Sequence, residues 1–120
     1  MTTAAAFKEW IQSDAPFELA GADTKTASQP CVPHHFGALM GYLDAVCGGA
    51  GARRSFLRYC FGVSSGKDLH VRAINALYYW LAVRPDADGK WAVTNPKAQA
   101  TAAAVVAAAL VEAGQMELKL

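Results

Sequence analysis

The sequence lacks a disulfide framework, a membrane-spanning run and a secretory leader, and each absence excludes a class of protein. Its three cysteines are an odd number at wide spacing, unlike the disulfide scaffold of a small secreted domain. The longest apolar run is rich in alanine and too weakly hydrophobic to cross a bilayer, so we expect no contact with a membrane. The N-terminal residues MTTAAAFKEW contain no basic region followed by an apolar stretch, so we expect a cytoplasmic protein.

Motifs of nucleotide binding and catalysis are also missing. The glycines of residues 48–51 are followed by arginines rather than by the Gly-Lys-Ser/Thr of a phosphate-binding loop. Residues 86–89 resemble the first part of a calcium loop, but Lys97 or Gln99 stands where the distal glutamate is expected. We therefore interpret that segment as a plain turn, and we expect no enzymatic activity and no cofactor.

One cluster contains the ligand types of a zinc site. Cys31, His34 and His35 lie close together, and Cys47 and Cys60 follow later in the chain. Structural zinc sites usually use two tight ligand pairs, and only one pair is tight here. Cys47 and Cys60 fall on the apolar sides of expected helices, where an unpaired cysteine usually packs as a small hydrophobe. A zinc-dependent protein, or a thiol-dependent one with Cys31 paired to a histidine, is therefore a distant alternative.

The hydrophobic pattern predicts a helical protein. The composition, 53% hydrophobic and 18% charged, is typical of a globular chain, and 120 residues suffice for one core. Apolar residues recur at spacings of three and four, which indicates α-helices. The expected fold class is all-α, a single compact bundle of about four to five helices with a long irregular N-terminal arm and one small hairpin. The helices are expected over residues 2–12, 36–47, 51–61, 69–83 and 96–113.

Prolines, glycines and capping residues set the expected boundaries. Three prolines interrupt residues 13–35, which are expected to form the arm, with Phe17 and Leu19 as its anchors. Ser64 or Ser65 is the expected N-cap of the helix over residues 69–83, and Asn95 is that of the last helix. The hairpin is expected between residues 82 and 93. The single domain then has three parts: an N-terminal helix and arm (1–35), a helical module (36–83) and an alanine-rich C-terminal helix (95–114).

The middle of the chain is basic, although the net charge is only +1. Residues 47–97 hold eight basic and three acidic residues, whereas residues 1–46 hold two basic and five acidic ones. Tyr59, Tyr78 and Tyr79 lie among these cations. Cationic side chains beside exposed aromatic rings can hold a phosphate backbone and stack bases. The alternative is an ordinary solvated face with its tyrosines in the core. If this region binds nucleic acid, its expected contacts are Arg53, Arg54, Arg58, Tyr59, Lys67, His70 and Arg72.

One stretch of the same region resembles a known module. Residues 61–69 read Phe-Gly-Val-Ser-Ser-Gly-Lys-Asp-Leu, and Ala-Leu at 76–77 and Trp-Leu at 80–81 follow. This pattern is similar to a short helical segment of phage single-strand annealing and recombination proteins, including the essential recombination function family, and of other mobile-element proteins. The resemblance extends over about residues 36–83 and departs from the module at His70. It implies a non-enzymatic accessory or adaptor protein that acts near DNA or a nucleic-acid-bound protein complex.

The alanine-rich segment 96–113 gives a second hypothesis. Its small side chains permit close packing of helices, either against the body of the protein or against a second copy. In this alternative the protein is an interaction module that forms a homo-oligomer through the helix.

Overall fold

Residues 2–19 and 36–114 are described by the structure, which is a computed structural model of the chain. Most of the described residues are helical, and the helices form a compact body with one small antiparallel hairpin. The expectation of a mainly helical fold is therefore confirmed, and so is the hairpin. The elements follow the chain as α1 (Thr3–Gln12), α2 (Ala15–Leu19), α3 (Phe36–Cys47), α4 (Ala50–Phe61), α5 (Val71–Leu81), β1 (Val83–Pro85), β2 (Trp91–Val93) and α6 (Ala98–Glu112).

Three aromatic rings from three helices meet at the centre of the core. Phe7 of α1 lies 4.7 Å from Trp80 of α5 and 5.8 Å from Phe56 of α4, measured between ring centroids. Phe56 and Trp80 are stacked at 5.6 Å with an interplanar angle of 17°. All three side chains are buried. Aromatic pairs in such geometries contribute beyond the area that they bury, so this cluster fixes how α1, α4 and α5 are rotated against one another.

Helix α6 covers the core with small side chains. Ala98, Ala102, Val105 and Ala109 recur at spacings of four, three and four residues and are all buried. This stripe lets α6 approach its neighbours closely, and α6 packs against α1, α3 and α4.

The expected ends of α1, α3 and α4 are confirmed. The hydroxyl of Thr2 accepts a hydrogen bond from the amide of Ala5 at 3.1 Å and so caps α1. The chain turns between α3 and α4 at Gly48 and Gly49, whose φ angles of 100° and 136° favour glycine. Gly62 ends α4 in the left-handed conformation with φ 69°.

The start of α5 differs from the expectation. Ser65 caps only a short 3-10 turn over Gly66–Asp68, where its hydroxyl accepts from the amide of Lys67 at 3.3 Å. The α-helix begins at Val71, and His70 is its N-cap, with Nδ1 accepting from the amide of Arg72 at 3.1 Å. Histidine is not a usual N-cap, so the rule that favours serine placed the boundary too early.

The C-terminal boundary of α5 and the start of α6 are also shifted. Helix α5 ends at Leu81 because Ala82 adopts φ 51°, and the chain enters β1 before Pro85 is reached. β1 pairs with β2 in register Val83 with Val93. Asn95 does cap the turn after β2, accepting from the amide of Lys97 at 3.0 Å, but α6 begins at Ala98.

The expectation of an irregular arm over residues 13–35 is wrong for Ala15–Leu19, which form α2. Pro16 lies in the first turn of this helix, where proline is tolerated because its missing N–H would have no partner. Of the two expected anchors, Phe17 is fully buried, whereas Leu19 is 80% exposed. Helical spacing explains the difference, since residues i and i+2 lie on nearly opposite sides of a helix. Residues 20–35 of the arm lie outside the described residues.

The opposite environments of Phe17 and Leu19 give a stability test. Phe17→Ala removes a buried ring that meets Tyr79 edge-on at 5.4 Å, so we expect the free energy of unfolding to fall by about 3–5 kcal/mol. Leu19→Ala is expected to change it by less than about 0.5 kcal/mol. Urea unfolding followed by circular dichroism measures both. Equal losses in the two variants would contradict the position of α2.

Candidate nucleic-acid interface

The seven residues expected to bind nucleic acid do not form one face. Arg53, Arg54, Arg58 and Tyr59 belong to α4, Lys67 to the 3-10 turn, and His70 and Arg72 to the start of α5. Their side chains meet different neighbours. Arg54 and Arg58 line one groove, which has a volume of about 440 Å³ and runs between α4 and α6. We call it the arginine groove; its lining residues are Gly51, Ala52, Arg54, Ser55, Arg58, Val106 and Leu110.

Arg53 is paired with a carboxylate from the preceding helix. Its Nη1 lies 3.0 Å from Oδ1 and 3.2 Å from Oδ2 of Asp44, with hydrogen-bond geometry only to Oδ2. The side chains are 18% and 36% exposed, so solvent screens this ion pair only in part. Oδ1 is buried and accepts no hydrogen bond from the described residues, which leaves Arg53 as its electrostatic partner. The positive charge of Arg53 is therefore largely neutralised.

Arg72 is held by the N-terminal region. Its Nη2 donates to Oδ1 of Asp14, between α1 and α2. The guanidinium also lies over the ring of Phe17, 4.4 Å from its centroid, which is a cation–π arrangement. His70 is exposed beside it and acts as the N-cap of α5. Arg72 and His70 line one small groove of about 180 Å³ with Gln12, but the charge of Arg72 is already paired.

The tyrosines are poorly placed for stacking bases. Tyr78 is 2% exposed and belongs to the core. Tyr79 packs edge-on against Phe17. Tyr59 is half-buried, and the ammonium of Lys8 lies 5.3 Å from its ring centroid. Burial raises the pKa of the Tyr59 phenol, and the nearby carboxylate of Glu112 adds to the rise. The expectation of stacking tyrosines is thus wrong for Tyr78, which has no exposed face.

The arginine groove keeps its charge. Arg54 and Arg58 are exposed, and neither forms an ion pair with a carboxylate of the described residues. Nη2 of Arg58 donates to the backbone carbonyl of Ala109 at 3.2 Å, near the C-terminus of α6. Cations are favoured at that end of a helix, so the bond fixes the guanidinium at the groove without cancelling its charge. Lys67 is also exposed, but on the separate 3-10 turn.

The cysteines that the structure describes are poor metal ligands and nucleophiles. Burial raises the pKa of Cys47 to about 12, and Asp44 raises it further while Arg53 lowers it. Burial likewise raises the pKa of Cys60 to about 12. Both thiols therefore stay protonated at neutral pH, whereas metal binding and nucleophilic attack need the thiolate. Within residues 2–19 and 36–114, no three His, Cys, Asp or Glu side chains are grouped so as to hold a metal ion. Cys31, His34 and His35 lie outside the described residues.

Comparison with known proteins adds no relative. No protein-family model matches the chain, and neither a curated protein nor a solved structure matches it. None of the helices in the described ranges is long and apolar enough to cross a membrane.

Two acidic residues that the sequence reasoning missed decide which cations remain exposed. Asp44 and Arg53 flank the Gly48-Gly49 turn, so a chain that folds back at these glycines brings them together. That signal was present in the sequence. The contact between Asp14 and Arg72 joins positions far apart in the chain, and no local pattern indicates it.

The ion pair of Arg53 gives a second test of stability. Arg53→Met leaves the carboxylate of Asp44 with a buried oxygen and no cation, so we expect the free energy of unfolding to fall by about 1 kcal/mol. Arg54→Met, the matched control on the next residue, is expected to change it by less than about 0.5 kcal/mol. Chemical denaturation measures both, and a larger loss for Arg54→Met would contradict the pairing.

The raised thiol pKa values predict low reactivity. In a Cys31→Ser variant, Cys47 and Cys60 are the remaining thiols. Since their pKa values rise from 9.0 to about 12, we expect a thiol reagent at pH 8 to react roughly a thousandfold more slowly with the folded protein than with the urea-unfolded chain. Rapid labelling of the folded protein would contradict the low reactivity.

The same pKa values predict how stability depends on pH. Because the unfolded thiols ionise first, these groups stabilise the folded state below pH 9 and that stability is lost as pH rises toward 12.

Proposed function

We propose that this protein is a non-enzymatic accessory protein that binds the phosphate backbone of nucleic acid through the arginine groove. It acts on nucleic acid directly or within a nucleic-acid-bound protein complex. The proposal depends on one observation: the four arginines between positions 53 and 72 differ in whether a carboxylate pairs with them. Arg53 and Arg72 are paired with carboxylates, whereas Arg54 and Arg58 remain exposed side by side.

The arginine groove is suited to a phosphate because of its two adjacent guanidiniums. Arg54 and Arg58 are four residues apart on one helix, where two like charges repel by a few tenths of a kcal/mol. A bound anion would remove that repulsion. Guanidinium groups bind phosphate oxygens with paired, charge-assisted hydrogen bonds. The carbonyl of Ala109 occupies one nitrogen of Arg58, so the remaining donors of that side chain are available at the groove.

Such a site reads the backbone rather than the bases. Stacking platforms are weak here, because Tyr78 is buried and the ring of Tyr59 is already in contact with Lys8. Sequence-specific recognition needs contacts with base edges, and two arginines on a shallow groove supply few of them. We therefore expect binding that depends strongly on salt and discriminates little between sequences or between single and double strands.

The resemblance at residues 61–69 supports the kind of protein that we propose, but it does not support the arginine groove as the binding site. In the structure this segment forms the corner between α4 and α5: Gly62 adopts the left-handed conformation and Leu69 is buried. Trp80, which belongs to the same pattern, lies in the aromatic core. These residues build the fold that presents α4. An accessory role of phage or mobile-element type is thus the proposal that the resemblance adds.

The proposal is tested with two double variants that lose the same charge. We expect Arg54→Gln/Arg58→Gln to weaken binding of labelled oligonucleotides about tenfold or more, because two charge-assisted contacts with phosphates are lost. The slope of log affinity against log salt should fall by about 1.8 on duplex and about 1.4 on single strands. Fluorescence anisotropy over a series of salt concentrations measures both quantities.

Arg53→Gln/Arg72→Gln is the matched control, since it removes two arginines whose charges are already paired. It is expected to leave the affinity and the salt slope close to those of the wild type. Equal losses in the two double variants would show a non-specific effect of net charge. Wild-type affinity in Arg54→Gln/Arg58→Gln would rule out the arginine groove.

A further inference from the structure

The residues of the arginine groove specify its ligand further. We infer that the groove binds the phosphomonoester at the end of a nucleic-acid strand in preference to the phosphodiesters within the strand. This preference for strand ends rests on the function proposed above, since it concerns the same groove. The charge of the groove, the number of its donors and its apolar wall each favour a terminal phosphate.

The charge of the groove matches a dianion. Among the described residues that line it, Arg54 and Arg58 are the charged ones, and both are cations. A phosphodiester of the backbone carries one negative charge. A phosphomonoester carries about 1.5 to 2 negative charges at pH 7, because its second pKa is about 6. One terminal phosphate therefore balances both guanidiniums and removes the repulsion between them, whereas one phosphodiester leaves a net positive charge.

Three side chains on one side of α4 are placed to donate hydrogen bonds into the groove. Ser55 lines it together with Arg54 and Arg58, and it lies three residues before Arg58 on the helix. Ser55 is half-buried, and its hydroxyl forms no hydrogen bond with the described residues. A phosphomonoester has three free oxygens, one for each of these donor side chains, whereas a phosphodiester has one fewer. The donor set is therefore filled only by the end of a strand.

The wall of the groove that α6 supplies is apolar. Val106 and Leu110 line it, and both are partly exposed. The sugar of a terminal nucleotide is joined to the phosphate and can pack its carbon atoms against this wall. A phosphate within a strand has a sugar on each side, so two sugars must pass along the same groove. Cations on one wall and apolar side chains on the other therefore fit a strand end better than inorganic phosphate or the middle of a strand.

The competing arrangement places the two arginines on successive phosphates of one strand. The Cβ atoms of residues four apart on a helix are about 5–6 Å apart, and arginine side chains reach further than this. In that arrangement each guanidinium neutralises one phosphodiester, and the chemistry of the strand end has no effect on affinity. Changing the end alone separates the two arrangements.

Competition between strands that differ only at one end tests the preference. A hydroxyl-ended single-stranded oligonucleotide with an internal fluorophore reports binding through its anisotropy. Unlabelled competitors of the same sequence end in a phosphate, a methyl phosphate or a hydroxyl, at the 5′ end in one set and at the 3′ end in a second set. At one end or both, the phosphate is expected to make the strand compete about tenfold more strongly than the hydroxyl does. The methyl phosphate, which lacks the second charge and one free oxygen, is expected to recover little of this gain.

Two small competitors separate a strand end from free phosphate. Inorganic phosphate is expected to compete far more weakly than the phosphorylated strand, because it has no sugar to pack against the apolar wall. A nucleoside monophosphate has the phosphate and one sugar, so it is expected to lie between the two.

Gly51 provides a test that keeps both arginines. It is exposed in the first turn of α4, and a Cβ at this position meets no atom of the described residues within 4 Å outside its own stretch of the helix. Gly51→Glu puts a carboxylate three residues before Arg54, where it pairs with that guanidinium. The tenfold preference for the phosphorylated end is then expected to fall to about twofold or less. Gly51→Gln, which has the same size without the charge, is expected to keep the preference, and circular dichroism shows that both variants are folded.

The end preference and the proposed function fail in different ways. Equal competition by all strand ends, with affinity still dependent on Arg54 and Arg58, overturns the end preference and leaves the proposed function standing. A preference that survives Arg54→Gln/Arg58→Gln, or that Gly51→Gln loses as fully as Gly51→Glu does, also overturns it. Inorganic phosphate that competes as strongly as the phosphorylated strand identifies free phosphate as the ligand in place of a strand end. Affinity that ignores both arginines for every strand overturns the proposed function.

Discussion

The stacked contact between Phe56 and Trp80, closed on one side by Phe7, is the constraint that the rest of the molecule depends on. It fixes the rotation of α4, because Phe56 must face inward. With 3.6 residues per turn, a helix that buries Phe56 must direct Arg54 and Arg58 elsewhere. The positions of the cations at the surface therefore follow from where the aromatic rings lie in the core.

Neighbouring carboxylates then decide which cations can act on a partner. Arg53 and Arg54 are adjacent in sequence and chemically identical, yet one lies against Asp44 and the other on an open groove. Counting basic residues cannot separate them. What matters is whether a guanidinium has a fixed counter-charge, since a paired cation must give up one partner before it can take another.

The sequence predicts the local elements of this protein better than their assembly. Residue spacing and caps gave α1, α3 and α4 nearly at their observed ends, because those signals depend on a few neighbouring positions. The start of α5 was missed because the cap is His70, an unusual residue for that role, and α2 was missed because Pro16 reads as a helix breaker. The basic face was expected to be continuous. The Gly48-Gly49 turn indicates the contact of Asp44 with Arg53, whereas the contact of Asp14 with Arg72 is a tertiary one with no local pattern.

The composition of α6 is explained only in part by the fold of one chain. Ala98, Ala102 and Ala109 are small because they are buried where α6 meets its neighbours. The exposed alanines have no such reason. Alanine is the best helix former, but lysine, glutamate and arginine are nearly as good and would keep the surface solvated. Helix propensity therefore accounts for a helix at these positions and not for an outward face without charge.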